Sequence, residues 1–159
     1  MKVYLGLGTN LGNKEQNLRM AVEKIEERIG KLVSLSAFYA TDPWGFLSEH
    51  SFLNAAVCID TDLMPLEVLR MTQEIECELG RMKKSVNGIY GDRLIDIDLL
   101  LYDGIILNED ELVLPHPLMT KRRFVMEPLT EIAPNLIHPV LHRTMKELFN
   151  SSFLSSAVQ

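Results

Sequence analysis

The sequence predicts an α+β fold: a ferredoxin-like sandwich with a β-α-β-β-α-β core, an antiparallel sheet, and additional C-terminal strands and short helices. Three observations predict it. Short apolar runs bounded by Gly, Asn or Pro alternate with two longer stretches whose apolar residues recur at helical spacing, in that order along the chain. A long βαβ unit with a parallel partner strand is missing. The 159 residues are 47% hydrophobic and 24% charged, ordinary values for one globular domain, taken as residues 1–159.

Residues 3–7 read as a short buried strand feeding a Gly8-Thr9-Asn10 segment. Asn13 with Gln16 three residues on resembles a capping box, Leu18, Val22, Ile25 and Ile29 follow at helical spacing, and Gly30 is placed as the stop. Residues 32–39 are the second strand, followed by a Pro/Gly-containing loop over 40–51 with the single tryptophan. Residues 52–59 form the third strand. Pro65, then Leu66, Leu69, Thr72, Ile75 and Leu79 ahead of Gly80, mark the second helix. Residues 81–92 read as a mobile polar loop before the Asp-bearing strand. Asp103-Gly104 predicts a hairpin from that strand into 105–107, with one more short strand at 112–114. Short helices are expected around 128–132 and from Thr144, where Glu147 again suggests a capping box.

The stretch Arg93-Leu94-Ile95-Asp96-Ile97-Asp98 breaks a rule with nothing local to compensate. On a strand Asp96 and Asp98 share one face, while Ile95, Ile97, Leu99 and Leu101 share the other. Two carboxylates side by side near a core repel and lose solvation, so a cation is expected between them. Oxygen-only ligands suit Mg²⁺, which takes one or two carboxylates and completes its octahedron with water and phosphate oxygens. Arg93 adds a phosphate-matching fork at the mouth of the strand. A solvated edge strand is the plainer alternative.

The third strand repeats the anomaly. Phe52, Asn54, Ala56 and Cys58 share a face, and a strand-borne Asn needs partners that its amide both donates to and accepts from. With Phe52 stacking and Asn54 reading an edge, the pair suits a flat heterocycle; a core Asn satisfied by backbone is the other reading. Gly8-Thr9-Asn10 is open between a tight turn and a ligand-lining role. Gly6-Leu7-Gly8 fails as a dinucleotide fingerprint because the third glycine is absent at position 11. His138 and His142 are four apart, but Pro139 spoils a helical pair, and a zinc site is rejected.

The net charge of −6 argues against a nucleic-acid partner. No run approaches membrane-spanning length, and the N-terminus runs out of apolar residues too soon for a signal peptide. Cys58 and Cys77 form no spaced framework and are read as reduced core residues of a cytoplasmic protein, which is separately expected to be a monomer.

Taken together these pieces resemble the 6-hydroxymethyl-7,8-dihydropterin pyrophosphokinase family over about residues 1–150. The resemblance rests on Gly8-Thr9-Asn10, Thr41-Asp42-Pro43-Trp44-Gly45, Phe52-Leu53-Asn54, Glu76 with Gly80-Arg81, Arg93 with Asp96 and Asp98, Pro115-His116-Pro117, Arg122-Arg123-Phe124 and Glu131-Ile132-Ala133-Pro134, in order and spacing. It implies pyrophosphoryl transfer from ATP to the pterin's hydroxymethyl oxygen, releasing AMP, in folate biosynthesis. Asp96 and Asp98 would hold two Mg²⁺ ions, with Arg81 and Arg93 as phosphate-binding catalytic arginines. Phe52 and Phe124 would sandwich the pterin, with Gly8, Thr41, Pro43, Trp44 and Asn54 about its edge. Gln73, Glu76, Leu99, His116 and Arg122 fall where the family contacts ATP, joined by Arg93 and by Lys83 and Tyr90 of the 81–92 loop. Lys83 stands where an Arg is common, and Ile89-Tyr90-Gly91-Asp92 replaces the usual basic-Trp-Gly-Pro run. No general base is evident. A Mg-dependent phosphohydrolase or nuclease and a non-catalytic ligand-binding module are the competing readings.

Overall fold

A computed structural model describes residues 1–41, 51–81 and 94–154, the side chain of Arg81 excepted. Its elements run β1 (Lys2–Thr9), α1 (Lys14–Arg28), β2 (Gly30–Leu35), β3 (Tyr39–Thr41), β4 (Phe52–Thr61), α2 (Pro65–Arg81), β5 (Asp96–Tyr102), β6 (Leu107–Asn108), β7 (Val113–Leu114), α3 (Arg123–Ile132) and α4 (Met145–Phe149). The main sheet has the order β2-β4-β1-β5, with β3 also on β4, and every ladder is antiparallel. It is a mixed α/β architecture with an antiparallel sheet.

Alternation along the strands sorts the side chains into two cores. On one face Leu5, Leu7, Val57, Ile59 and Ile97 pack under α1 and α2 against Leu18, Ile25, Ile75 and Leu79. On the other, Tyr4, Ala56 and Cys58 meet Met126 and Leu129 of α3 and Met145 and Leu148 of α4. The sequence placed helices on one face only; the C-terminal extension covers the second. Burying each of these large side chains is worth about 1.5–3 kcal/mol, so α3 is held by its apolar side and not by its exposed charges.

Local signals set several boundaries. The Asn13 side chain accepts the Gln16 amide at 3.1 Å and caps α1, and Thr144 with Glu147 forms the full capping box that starts α4. Between the helices, Lys24 and Arg28 of α1 both reach Glu78 of α2, and these hydrogen bonds push its carboxyl down to about 2.

Other expectations are corrected. The second strand is broken: β2 ends at Leu35, Ser36 keeps its hydrogen bonds to Ala56 of β4, and β3 starts at Tyr39. The 105–107 segment does not pair with β5. Instead β6 pairs with β7, and the Leu100 carbonyl accepts the His116 amide at 2.9 Å. Alternation in β5 fails at a bulge opposite Tyr4/Leu5, so Leu101 joins Leu100 in the α3 core and does not follow Leu99. Helix α2 runs through Gly80, and α3 begins at Arg123, five residues before the expected start. Gly30 opens β2; a Cβ there would stand 2.1 Å from the Asp60 carbonyl oxygen, so close approach of β4 demands glycine. Cys58 is buried as expected, but Cys77 lies exposed on α2. No helix among the described residues is long and apolar enough to cross a membrane.

Candidate active site

The central strand makes the room for a ligand. In β1, Gly6 lies opposite Asp98 on one side and Ala56 on the other, and Gly8 lies between Asp96 and Asn54. Missing or small side chains along this row leave a trough on the α3 face of the sheet. The trough opens into a cavity of about 360 Å³.

Polar groups converge there from both flanks. Asp96 and Asp98 line it from β5, and Arg122 and Phe124 from the start of α3. Thr41, Phe52 and Asn54 line the opposite wall, with Gly8 in the floor. Asn54 is 4% exposed, and a buried amide left unsatisfied costs about 1–3 kcal/mol. Its Nδ2 donates to Thr41 Oγ1 at 2.8 Å, which turns the carbonyl end away from Thr41. That carbonyl oxygen lies 3.0 Å from where a Gly8 Cβ would be, on the same row. The arrangement offers a flat ligand an amide edge, with Phe52 on one wall and the 39%-exposed Phe124 ring on the other. The Arg122 guanidinium lies 5.7 Å from the centre of the Phe124 ring, joining the aromatic wall to the anion-binding side. Arg123 is directed elsewhere, to Glu127 and the Phe149 ring.

His116 belongs to the same region. Its Nδ1 accepts the Leu118 amide at 3.2 Å, so the neutral ring carries its proton on Nε2. Burial pushes its pKa down, Asp98 opposes that and Arg122 adds to it, so the ring feels charges from the β5 and α3 side of the cavity. Glu76 of α2 accepts the Ile97 amide at 2.8 Å, between the two aspartates, and so ties α2 to the strand that carries them.

Not every expected residue converges. The Leu99 side chain is buried in the core beneath α1 and α2, which leaves a ligand only its backbone, and Gln73 is exposed on α2. Pro43, Trp44, Lys83, Tyr90 and Arg93 lie outside the described residues, as does the Arg81 side chain. Gly6 and Val125 line the cavity and had not been singled out. The signal for Gly6 was available: glycines at i and i+2 of an apolar strand clear one face of it.

The donor set fits a hard divalent cation. Two carboxylates project from one face of β5 beside glycines that offer no competing bulk. Among the described residues no group of three or more His, Cys, Asp or Glu could hold a metal. An ion at Asp96 and Asp98 would leave coordination positions that water and substrate oxygens can fill, the pattern Mg²⁺ favours.

Comparison with known proteins shows what the chain is similar to. Residues 4–134 match the model of the family described as 7,8-dihydro-6-hydroxymethylpterin-pyrophosphokinase. The chain is 51% identical over 138 residues to a Porphyromonas gingivalis protein named 2-amino-4-hydroxy-6-hydroxymethyldihydropteridine pyrophosphokinase, covering 86% of this chain and 93% of that one. It is 42% identical over 130 residues to the Bacillus subtilis protein of the same name, covering 81% and 76%. Its fold is similar to a solved Plasmodium falciparum HPPK-DHPS structure, with TM-score 0.76 and 21% identity over 99% of this chain. The match spans 44% of that longer chain.

Proposed function

The chain belongs to the 7,8-dihydro-6-hydroxymethylpterin-pyrophosphokinase family, and we propose on that premise that it moves the pyrophosphoryl group of ATP onto the hydroxymethyl oxygen of 6-hydroxymethyl-7,8-dihydropterin, giving the pterin diphosphate and AMP in folate biosynthesis. One observation carries the reading: the Asp96/Asp98 pair, the Phe52–Asn54 wall, Arg122 and Phe124 line a single cavity.

Each residue then has a physical task. Phe52 and Phe124 bind the two faces of the pterin, while Asn54 and Thr41 meet its hydrogen-bonding edge over Gly8. Pro43 and Trp44 complete that edge by the family resemblance. Asp96 and Asp98 would hold two Mg²⁺ ions. Magnesium bound there supplies charge neutralisation on the phosphates and makes the pterin hydroxyl a better nucleophile. Arg122 and His116 are assigned to the phosphates from the α3 side, and Arg81, Arg93 and Lys83 join them by the family resemblance. Gln73, Glu76 and the Leu99 backbone are assigned to the nucleotide, and Tyr90 to a cover that keeps water from the activated phosphorus. Positioning and electrostatics carry such a transfer without a strong general base.

The strand order β2-β4-β1-β5, with a helix after β1 and another after β4, supports reading the core as ferredoxin-like within one domain over residues 1–159. The chain is proposed to act in the cytoplasm as a monomer on these two small molecules, with no nucleic acid or membrane involved. The test is the product: Mg-ATP with the pterin should give pterin-dependent AMP. Formation of ADP would mean ordinary kinase chemistry, and nucleotide release without pterin would mean a phosphohydrolase.

A further inference from the structure

We infer that Glu131 is a positioning residue for the pterin: from α3 it clamps the strand carrying Thr41, and so sets the gap between the two walls of the cavity. The inference rests on the pterin reading above and deepens it.

The need for such a clamp follows from the break between β2 and β3. Ser36 still holds β4, donating its amide to the Ala56 carbonyl and accepting the Ala56 amide on Oγ, both at 2.9 Å. Ala37 then leaves the ladder. Its amide is taken instead by the Glu131 carboxylate, at 3.1 and 3.2 Å to the two oxygens. Two residues on, the Tyr39 hydroxyl donates to the same carboxylate, and that bond pushes the phenol up to about 12.

These contacts adjoin the ligand wall. β3 is three residues long, pairing Tyr39 with Asn54 and Thr41 with Phe52. A ladder so short fixes its strand weakly, yet Thr41 is the group that orients the Asn54 amide. On the other side Glu131 follows Phe124 by two helical turns, so both lie on one side of α3. The apolar side of the helix, with Met126 and Leu129 fully buried, holds α3 to the sheet but is non-directional. Charge-assisted hydrogen bonds to a backbone amide and a phenol are directional, and they fix the register of helix against strand. Glu131 is itself exposed, so it adds little to stability while setting geometry.

Steady-state kinetics of the full chain, varying each substrate in turn, test this with Glu131→Ala, Glu131→Gln and Tyr39→Phe. In Glu131→Ala the pterin KM should rise about tenfold, with the ATP KM within about twofold of wild type and Tm little changed. Glu131→Gln should recover part of the loss, because its amide oxygen still accepts from Ala37. Tyr39→Phe should show a smaller rise that is not additive with Glu131→Ala. An unchanged pterin KM in a folded variant, or an equal rise in both KM values, overturns the inference. Should Glu131→Ala not fold, Tyr39→Phe decides by the same criterion. A wild-type protein that makes no AMP overturns the functional reading and this inference with it, whereas wild-type AMP formation with no shift in the variants overturns the inference alone.

Discussion

Replacing Gly8 by alanine separates ligand recognition from stability at one atom. The new Cβ would lie 3.0 Å from Asn54 Oδ1, its one described neighbour within 4 Å. Relief requires the Asn54 carbonyl to move by a few tenths of an ångström, roughly the deficit from an ordinary van der Waals contact. The amide cannot turn freely, because its nitrogen is bonded to Thr41 at 2.8 Å and the residue is buried. The displaced atom is the acceptor proposed for the pterin, so the loss is that of one neutral hydrogen bond, about 0.5–1.5 kcal/mol. That corresponds to a roughly two- to twelvefold rise in the pterin Kd. Stability works the other way. An alanine gains roughly 0.5–1 kcal/mol over glycine in a strand interior, which offsets the tight contact and keeps Tm within about 3 °C of wild type. Titration calorimetry with the pterin, beside a thermal melt, measures both. An unchanged Kd in a folded variant would refute the role given to the Asn54 carbonyl, and a Tm fall of more than about 10 °C would show that the clash is not local.

Two further predictions concern the frame. Gly30→Ala brings its Cβ to 2.1 Å from the Asp60 carbonyl oxygen, a backbone atom that cannot swing aside. It should cost about 2–4 kcal/mol in urea unfolding as β2 is pried from β4, and an unchanged midpoint would refute the close approach. His138 accepts the Val140 and Leu141 amides on Nδ1, at 3.2 and 3.1 Å, so the turn before α4 needs a neutral ring. Burial, aided by the charge of His142, holds its folded pKa below the ordinary 6.5. The unfolded chain therefore binds the proton more readily: this contribution is complete above pH 6.5 and is lost as pH falls through the folded pKa. Tm measured from pH 7.5 downward should fall more steeply for the wild type than for His138→Asn; equal slopes would refute it.

Much of this was legible from local pattern. Period-two alternation put Asp96 with Asp98 and Phe52 with Asn54, because a side chain's face on a strand is fixed by parity alone. Capping residues located the start of α1 and of α4 for a similarly local reason. Parity failed where the β5 bulge inserts a residue, and Leu101 went with it. Close approach was equally hidden: Gly30 read as a helix stop, yet it is the Asp60 carbonyl thirty positions away that demands it. The tie from Glu131 to Ala37 and Tyr39 joins residues more than ninety apart, and nothing in either segment announces the other. The free edge of β5 went to His116 and Glu76 and not to the adjacent hairpin, a choice made by tertiary packing.

The most direct measurement is magnesium-dependent AMP formation by the wild type and by Asp98→Asn, with a thermal melt of each. Removing one of two like charges on the same strand face should leave Tm unchanged or slightly raised. Turnover at saturating Mg²⁺ should fall at least about a hundredfold, because the lost carboxylate is one of the two proposed to hold the cation. A folded Asp98→Asn protein that turns over like the wild type at every magnesium concentration would contradict the account.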